Sequence, residues 1–276
     1  MDSQMKRAES FKALHERKGI FVIPNPWDAG SAKMLAALGF EALATTSAGF
    51  AFSIGKADAE RAIGRDETLA NAGAIVEATP LPVSADLENG FGDEPDACAE
   101  TILAAATAGL VGGSIEDATG RDDERIYAYD VAVERVRAAV RAARSLPFPF
   151  MLTARAENLI NGRPDLADTI RRLVAFAEVG ADVLYAPGLK SEEEVAAVVR
   201  AVAPKPVNVV MGLAGSALSV DTLARLGVKR ISVGSAFARA AYGAFLVAAR
   251  EVREQGTFDF ARNAISYAKI NAMFKR

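Results

Sequence analysis

The sequence predicts an α/β protein, a (β/α)8 barrel of the TIM type with additional helices at its C-terminus. Short apolar segments alternate with amphipathic helical segments, which is the pattern of repeated β–α units around a parallel sheet. Eight such units can be counted in 276 residues, a length at which α/β barrels often form one domain. A closed barrel explains eight units better than an open doubly wound sheet, because it leaves no edge strand to protect.

The eight predicted strands are short runs rich in apolar residues. They are FVIPN (21–25), ALATTS (42–47), PVSADLE (82–88), GGSIED (112–117), FMLTARAE (150–157), DVLYAP (182–187), PVNVVM (206–211) and RISVGS (230–235). Helical segments separate them, for example DACAETILAAATAG (96–109), RPDLADTIRRLVAFAEVG (163–180) and SVDTLARLG (219–227). These three end in glycine, where a helix C-cap is expected. No linker-like segment interrupts the units, so we predict a single domain over residues 1–276.

The segments outside the eight units are also helical. MDSQMKRAESFKALHERKG (1–19) is a polar amphipathic helix before the first strand. Residues 236–276 contain more helix than one barrel requires, in AFARAAYGAFLVAAREVREQG (236–256) and DFARNAISYAKINAMFKR (259–276). This C-terminal arm either packs across its own barrel or docks on a neighbouring subunit, and the sequence favours the two alternatives equally.

Composition and charge restrict the classes of function. With 51% hydrophobic and 24% charged residues, the chain resembles an ordinary soluble globular protein. A net charge of −3 indicates no basic surface for nucleic acid or for an anionic membrane. The N-terminal segment lacks the apolar core of a signal peptide, and no apolar run reaches membrane-spanning length, so we expect a cytoplasmic protein. Cys98 is the only cysteine, which excludes an intrachain disulfide and a cysteine cluster for zinc.

Acidic residues gather where predicted strands end. Asp58 follows strand two, Asp86 and Glu88 lie at the end of strand three, and Glu116 lies in strand four. The C-terminal strand ends and the loops after them build the active site of such a barrel, and side-chain alternation places Asp86 and Glu88 on one side. These acids suit Mg²⁺, which prefers carboxylates and keeps several waters. Zinc is disfavoured, because His15, the only histidine, precedes the first strand.

Structural roles explain some of these residues equally well. Any one acid after a strand can be a helix cap or a turn former, but matching polar chemistry at several strand ends is harder to explain in that way. Alternation turns Asp117 away from Glu116, which predicts a turn or supporting role. Cys98 lies between alanines on a helix, which predicts core packing and not a nucleophile. Arg155 and Glu157 point to the same side of strand five.

Four motifs together resemble the isocitrate lyase and phosphoenolpyruvate mutase superfamily: NPWDAGSAKMLAALGFEALATTSAGFA (25–51), DLENGFGD (86–93), SIEDATG (114–120) and LTARAEN (152–158). The resemblance runs from residue 21 to the end of the barrel. It implies a modified (β/α)8 barrel and a homo-oligomer, a dimer or usually a tetramer, in which a C-terminal helix is exchanged between paired subunits. It also implies Mg²⁺, with Mn²⁺ as the expected substitute, and an enolpyruvate-like intermediate.

The resemblance assigns roles to the charged residues. Asp86 resembles the acid that contacts Mg²⁺ directly. Glu88 stands where a second acid, usually Asp, holds a metal-bound water, and Glu116 resembles the strand-four acid of the water shell. Arg155 resembles the arginine that grips the substrate carboxylate. Asp58 resembles the acid after the strand-two loop, which would move a proton or steady the leaving group.

The resemblance also assigns the uncharged residues of the pocket. Thr46, Ser47 and Ala48 lie where the family has a Ser-Gly-Gly-like turn whose backbone groups bind the same carboxylate. The turn at Ser47 would hold the carboxylate so that the breaking bond is aligned with the π system. Trp27 and Asn208 resemble pocket walls, although ordinary packing explains Trp27 equally well.

Two departures from the family pattern concern the proton donor. The isocitrate and methylisocitrate lyases carry K-[KR]-C-G-H in the loop after strand four, where this chain has GRDDERIYAYD (120–130). Without that cysteine or histidine, protonation of the departing enolate needs a substitute, for which Arg121, Tyr127 and Tyr129 are the candidates. The mutase and phosphonopyruvate hydrolase branch has a strand-six histidine and a gating-loop asparagine, and this chain has neither.

The predicted function is therefore that of a Mg²⁺-dependent carbon-carbon lyase or decarboxylase. Its substrate would be a small 2-oxo or 2-hydroxy di- or tricarboxylate, cleaved through an enolpyruvate-like intermediate. The first alternative is phosphorus-carbon chemistry like that of phosphonopyruvate hydrolase or phosphoenolpyruvate mutase. The alternative of another class is a non-catalytic keto-acid binding protein. A loop that closes over the pocket and supplies a proton donor would favour the lyase.

Overall fold

The computed structural model describes residues 2–58, 62–212 and 218–275. Its eight parallel strands form a nearly closed barrel in the order β1-β8-β7-β6-β5-β4-β3-β2, which confirms the predicted fold class. The strands are β1 (Phe21–Ile23), β2 (Leu43–Ala44), β3 (Val83–Asp86), β4 (Gly112–Glu116), β5 (Met151–Arg155), β6 (Val183–Tyr185), β7 (Val207–Val210) and β8 (Arg230–Ser232).

The barrel closes between β1 and β2 through single hydrogen bonds and not through a ladder. The Ala44 amide donates to the Pro24 carbonyl at 3.1 Å, and the Asn25 side chain donates to the Thr45 carbonyl at 2.9 Å. Every strand is shorter than its predicted run, because residues at one or both ends of the run leave the ladder. Glu88, for example, has a φ of 48° and cannot continue β3.

Helices surround the barrel and extend beyond it. They are α1 (Asp2–Glu16), α2 (Ala29–Ala37), α3 (Ser47–Ser53), α4 (Arg65–Ala78), α5 (Pro95–Thr107), α6 (Tyr129–Ser145), α7 (Leu166–Glu178), α8 (Glu192–Val202), α9 (Val220–Arg225), α10 (Ala236–Gln255) and α11 (Tyr267–Phe274). Thr46 caps α3 by accepting from the Gly49 amide, so the loop after β2 turns into a helix at the barrel mouth.

Helix α1 packs against the N-terminal strand ends. Its Phe11 and Leu14 form a buried cluster with Phe21, Val111 and Met151, which lie at or just before the starts of β1, β4 and β5. Because apolar side chains occupy this end of the barrel, the C-terminal strand ends are left for a polar site.

The C-terminal arm leaves large apolar side chains exposed. Phe245 and Val247 of α10 are 65% and 66% exposed, and Tyr267 of α11 is 85% exposed. Helix α11 lies against α2 of the same chain, where Lys33 Nζ donates to the Phe274 carbonyl at 3.4 Å. Within the described part of the chain, no helix combines the length and the apolar character needed to cross a membrane.

Candidate active site

Two adjoining cavities open at the C-terminal ends of the strands. The large cavity has a volume of about 470 Å³ and lies between Glu88, Glu116 and the loop after β4. The small chamber has a volume of about 180 Å³ and lies deeper, between Asp86, Asn208 and β6. Both are lined by Ser47, Asp58, Arg155 and Ile160. The residues predicted to bind the metal ion and the substrate therefore converge here, with the exception of Trp27.

Arg155, at the end of β5, is the centre of the site. Its Nη1 donates to Asp86 Oδ1 at 2.9 Å, its Nη2 lies 3.1 Å from Glu116 Oε2, and its Nε donates to Glu157 Oε1 at 2.9 Å. The Arg155 side chain is only 14% exposed. Burial disfavours the cation, but Glu116, Glu157 and Asp86 outweigh that cost and hold the pKa of Arg155 well above its usual value.

Asp86 is held by groups that lie on or just after three other strands, β2, β4 and β5. Ser47 donates to its Oδ2 from the hydroxyl at 3.0 Å and from the backbone amide at 3.4 Å. The Ser114 hydroxyl of β4 donates to Oδ1 at 3.5 Å, in addition to Arg155. The residues predicted to bind the substrate carboxylate, Thr46, Ser47 and Ala48, thus lie beside Asp86 and line the small chamber.

Side-chain alternation along β3 does not explain how the Glu88 side chain comes to lie at the site. β3 ends at Asp86, and Glu88 adopts a left-handed conformation with a φ of 48°, so the two acids do not share a strand face. The Glu88 carboxyl nevertheless borders the large cavity. A non-glycine residue in this conformation is strained, which is common where a side chain is required at a functional site.

The acids exceed the positive charge that Arg155 supplies. Burial, followed by repulsion from Asp86 and Asp58, raises the pKa of Glu88 to about 7. Burial also raises the pKa of Glu116 well above its usual value, and repulsion from Glu157, Asp86 and Glu88 adds to it. Ionisation of all these acids together is therefore unfavourable in the protein alone, and a bound divalent cation would offset their mutual repulsion.

The donor set fits Mg²⁺ bound largely through water. No three acids among the described residues stand close enough to enclose a metal ion by themselves. Mg²⁺ does not need such a cage, because it retains several waters and takes one or two carboxylates. Asp86 would hold it directly, and Glu88 and Glu116 would hold its water shell.

The remaining predicted residues lie at different depths. Asp58 is exposed at the rim shared by both cavities, and partial burial and the charge of Asp86 raise its pKa. Asn208 is buried on the floor of the small chamber.

Trp27 lies outside the lining of both cavities, beside Gly49 of α3, so its role as a pocket wall stays a prediction. Asp117 turns away from the site and pairs with Arg172 at 3.0 Å, as expected for a supporting residue.

The loop after β4 lines the large cavity with Gly120, Arg121, Asp122 and Arg125. Arg121 is held by Asp93 at 3.1 Å and by Glu124 at 3.0 Å.

The predicted proton donors of this loop need correction. Tyr127 is buried outside the cavity lining, where its hydroxyl donates to Asp93 at 2.6 Å. Tyr129 begins α6, and its ring lies 4.1 Å from the Arg171 guanidinium, also outside the cavities. Of the three substitutes for the missing cysteine, only Arg121 lines the large cavity. An arginine is a poor acid because it holds its proton so strongly.

Sequence reasoning predicted Asn208 as a pocket residue but missed its partner Arg230 on the floor of the small chamber. Arg230 of β8 is buried, and it donates to Asn208 Oδ1 at 2.8 Å and to Thr153 Oγ1 at 2.9 Å. Tyr185 of β6 lines the same chamber, with the Arg155 guanidinium 5.0 Å from its ring centre. The available signal was a charged residue at the start of an apolar strand, which is rare unless it is paired.

The fold and the site define a class of protein. A parallel barrel whose C-terminal strand ends bring together a largely buried arginine, a surplus of carboxylates and two adjoining cavities is typical of an enzyme that uses a cation to act on a small anion. The sequence model of the phosphoenolpyruvate phosphomutase family matches residues 11–253. The chain therefore belongs to the phosphoenolpyruvate mutase and isocitrate lyase superfamily, as the motifs predicted.

Known relatives agree with this assignment. A solved Burkholderia cenocepacia protein, described as a candidate lyase/mutase, is 62% identical with a TM-score of 0.97 over 100% of this chain and 98% of that chain. The 2,3-dimethylmalate lyase of Eubacterium barkeri is 31% identical over 69% of this chain and 66% of its own. Oxaloacetate acetylhydrolase, solved with its product oxalate, is 27% identical with a TM-score of 0.87 over 98% of this chain and 94% of that chain. Superfamily members are lyases and mutases that act on carboxylates and generally use Mg²⁺.

The raised pKa of Glu88 predicts a pH dependence of Mg²⁺ binding. The Glu88 carboxyl must lose its proton to accept hydrogen bonds from metal-bound water. The affinity for Mg²⁺ should therefore fall by up to about tenfold for each pH unit below a pKa of about 7. Calorimetric titration with Mg²⁺ between pH 6 and 8 measures this. Glu88→Gln should bind more weakly, by about 10- to 100-fold, and should show a smaller pH dependence. An unchanged pH dependence in Glu88→Gln would assign the proton to another group.

Proposed function

We propose that this protein is a Mg²⁺-dependent carbon-carbon lyase or decarboxylase that acts on a small 2-oxo or 2-hydroxy di- or tricarboxylate. The observation that carries the proposal is Arg155, held among Asp86, Glu116 and Glu157 where the two cavities meet. Relatives named 2,3-dimethylmalate lyase and 2-methylisocitrate lyase support it.

In the proposed reaction, Arg155 and the Ser47 turn bind the substrate carboxylate beside Asp86. Binding at two points fixes the direction of the bond that breaks, and orientation of this kind lowers the barrier. When bound at Asp86, Mg²⁺ supplies Lewis-acid stabilisation of negative charge that develops on the substrate. Asp58, which lines both cavities, would accept a proton from the substrate or steady the leaving group.

The lining of the large cavity supports a substrate with more than one carboxylate. Arg121 and Arg125 of the loop after β4 line it together with Arg155. The pairing of Arg125 with Asp122 is loose, at 3.7 Å, and both side chains are exposed. A second carboxylate of the substrate would therefore meet positive charge at the loop after β4.

Phosphorus-carbon chemistry on phosphonopyruvate is the second candidate. It is favoured by one observation, the match of residues 11–253 to the phosphoenolpyruvate phosphomutase family. Strand six carries LYAPGL where that branch has a histidine, so the phosphonate reaction would need other groups in this chain.

A panel of substrates tests the proposal and separates it from its alternatives. Purified protein is incubated with oxaloacetate, isocitrate, methylisocitrate, dimethylmalate and phosphonopyruvate, first with Mg²⁺ and then with EDTA, while keto acids and phosphate are measured. We expect Mg²⁺-dependent release of a keto acid from one member. Release of phosphate would replace the lyase by the phosphonate reaction. Keto-acid binding without any turnover would replace it by a binding protein.

We also propose that the protein is a homo-oligomer assembled through its C-terminal arm. Phe245, Val247 and Tyr267 expose apolar surface that a single chain leaves in water. Light scattering during gel filtration should give the mass of a dimer or tetramer, and Phe245→Glu with Val247→Glu should reduce it. Arg253→Glu on the same helix is the control and should leave the mass unchanged. A monomeric wild-type protein at micromolar concentration would contradict this proposal.

A further inference from the structure

The small chamber contains a phenol close to the substrate-binding groups. Tyr185 ends β6 and pairs with Arg155 of β5 and with Asn208 of β7 in the strand register. It is 9% exposed and lines the chamber together with Asp86 and Ser47. The guanidinium of Arg155 lies 5.0 Å from its ring centre. Tyr185 thus has access to a ligand that Arg155 and Ser47 bind.

A hydrogen-bonded chain approaches this phenol from helix α1. Nδ1 of His15 bonds with the Phe11 carbonyl at 2.8 Å, so Nδ1 must carry the hydrogen. Nε2 of His15 is then an acceptor for Arg230 Nη1 at 3.3 Å. Burial, aided by the charge of Arg230, lowers the pKa of His15 to about 3 and keeps this ring neutral. His15 therefore holds one end of Arg230.

Arg230 sets the direction of the bonds that follow, because a guanidinium can only donate. Its Nε donates to Asn208 Oδ1 at 2.8 Å, which orients the amide so that Nδ2 donates to Ser232 Oγ at 3.0 Å. Ser232 in turn lies beside Tyr185, and both line the small chamber. Because the Ser232 oxygen already accepts from Asn208, its own hydrogen is free to face the Tyr185 oxygen.

The lyase chemistry of this site needs a proton donor that the loop after β4 does not supply. Tyr127 and Tyr129 lie outside the cavities, and Arg121 holds its protons too strongly. We propose that Tyr185 is the general acid that protonates the enolate carbon after bond cleavage, an inference that rests on the proposed function. Burial raises the pKa of Tyr185, so the phenol keeps its proton at neutral pH.

The proposed step balances without any further reagent. The O–H bond of Tyr185 breaks, and the electron pair of the enolate carbon forms a C–H bond as the ketone is restored. The phenolate that remains lies beside Ser232 and close to the cation of Arg155 until solvent returns the proton. Arg230 and His15 act through Asn208 and are positioning residues.

Hydrogen exchange of pyruvate tests the step, because enolisation of pyruvate is the reverse of enolate protonation. The protein is incubated with Mg²⁺ and pyruvate in D₂O, and loss of the methyl proton signal is followed by NMR. We expect Tyr185→Phe to slow the exchange by about 10²- to 10⁴-fold, the usual contribution of a general acid or base. Affinity for oxalate with Mg²⁺, measured by calorimetry, should change by less than about tenfold, the scale of one neutral hydrogen bond.

Two further variants separate catalysis from structure. Tyr129→Phe loses the same hydroxyl outside both cavities and should exchange pyruvate at the wild-type rate. Ser232→Ala should slow exchange by about tenfold, and it should add nothing in the Tyr185→Phe background, because the chain acts only through the phenol. Additive losses in the double variant would show that Ser232 acts independently of Tyr185.

The outcomes separate this inference from the proposed function. If the wild-type protein exchanges pyruvate and Tyr185→Phe exchanges it equally fast, Tyr185 is not the acid, although the lyase assignment stands. If the wild-type protein cleaves a panel member but does not exchange pyruvate, the rate of deuterium incorporation into the released acid is measured instead. A rate in Tyr185→Phe equal to that of the wild type would again show that Tyr185 is not the acid. A wild-type protein that neither exchanges nor cleaves would overturn both proposals, since no enolate would form.

Discussion

Asp86→Asn is expected to lower Mg²⁺ affinity by at least about 100-fold and to remove Mg²⁺-dependent turnover. Changes in groups that merely support metal ligands already cost 10- to 100-fold, and Asp86 is the proposed direct ligand. The variant keeps the shape of the side chain, and Arg155 retains Glu116 and Glu157 as partners. Calorimetric titration with Mg²⁺ and turnover on the responsive panel substrate measure the two effects.

The matched control for Asp86 is Asp221→Asn, which removes one negative charge from an exposed position in the first turn of α9. It should leave both Mg²⁺ affinity and turnover within about twofold of wild type, because an exposed distant charge is screened by salt. Metal-dependent turnover that survives in Asp86→Asn would place the metal on other residues.

Arg155→Met is expected to destabilise the protein by about 3–5 kcal/mol at pH 8, the cost of removing one partner from a buried ion pair. Asp86, Glu116 and Glu157 would remain packed together without their cation. The loss should shrink as the pH falls to 6, because burial raises the pKa values of Glu116 and Glu157 above those of the unfolded chain, and the protons they take up then stabilise the folded state. Urea unfolding in EDTA at the two pH values measures the effect.

Arg155→Lys separates charge from geometry at the same position. It keeps a cation for the carboxylates but loses the forked grip of the guanidinium, so it should be more stable than Arg155→Met. Oxalate binding with Mg²⁺ should still weaken by about 1–3 kcal/mol, the scale of a charge-assisted hydrogen bond. Unchanged oxalate affinity in Arg155→Lys would place the carboxylate site elsewhere in the cavities.

The barrel and the centre of the site could be predicted from periodicity and position. All eight strands follow from apolar runs that alternate with helical ones, because burial on both faces of a parallel strand leaves that pattern in the sequence. Asp86, Glu116 and Arg155 end their strands, so a parallel barrel must bring them to the same rim. Their contacts with one another follow from topology and need no knowledge of the loops.

The residues beyond the strand ends could not be placed in this way. Alternation applies only inside a strand, and the left-handed turn at Glu88 cancels it two residues after Asp86. Tyr127 was a plausible proton donor, but its hydroxyl is bound by Asp93 from a different loop, a contact set by tertiary packing. The link from His15 to Arg230 spans 215 residues of sequence, and no local pattern reports such a pair.

The most direct test of the proposed metal site is the position of a metal ion in crystals grown with Mn²⁺ and oxalate, located by its anomalous scattering. We predict one strong peak within bonding distance of the Asp86 carboxylate, with waters between the ion and Glu88 and Glu116, and with oxalate between the ion and Arg155. A peak away from Asp86, or oxalate bound without a metal ion at the strand ends, would contradict the proposal that this barrel uses Mg²⁺ to act on a carboxylate.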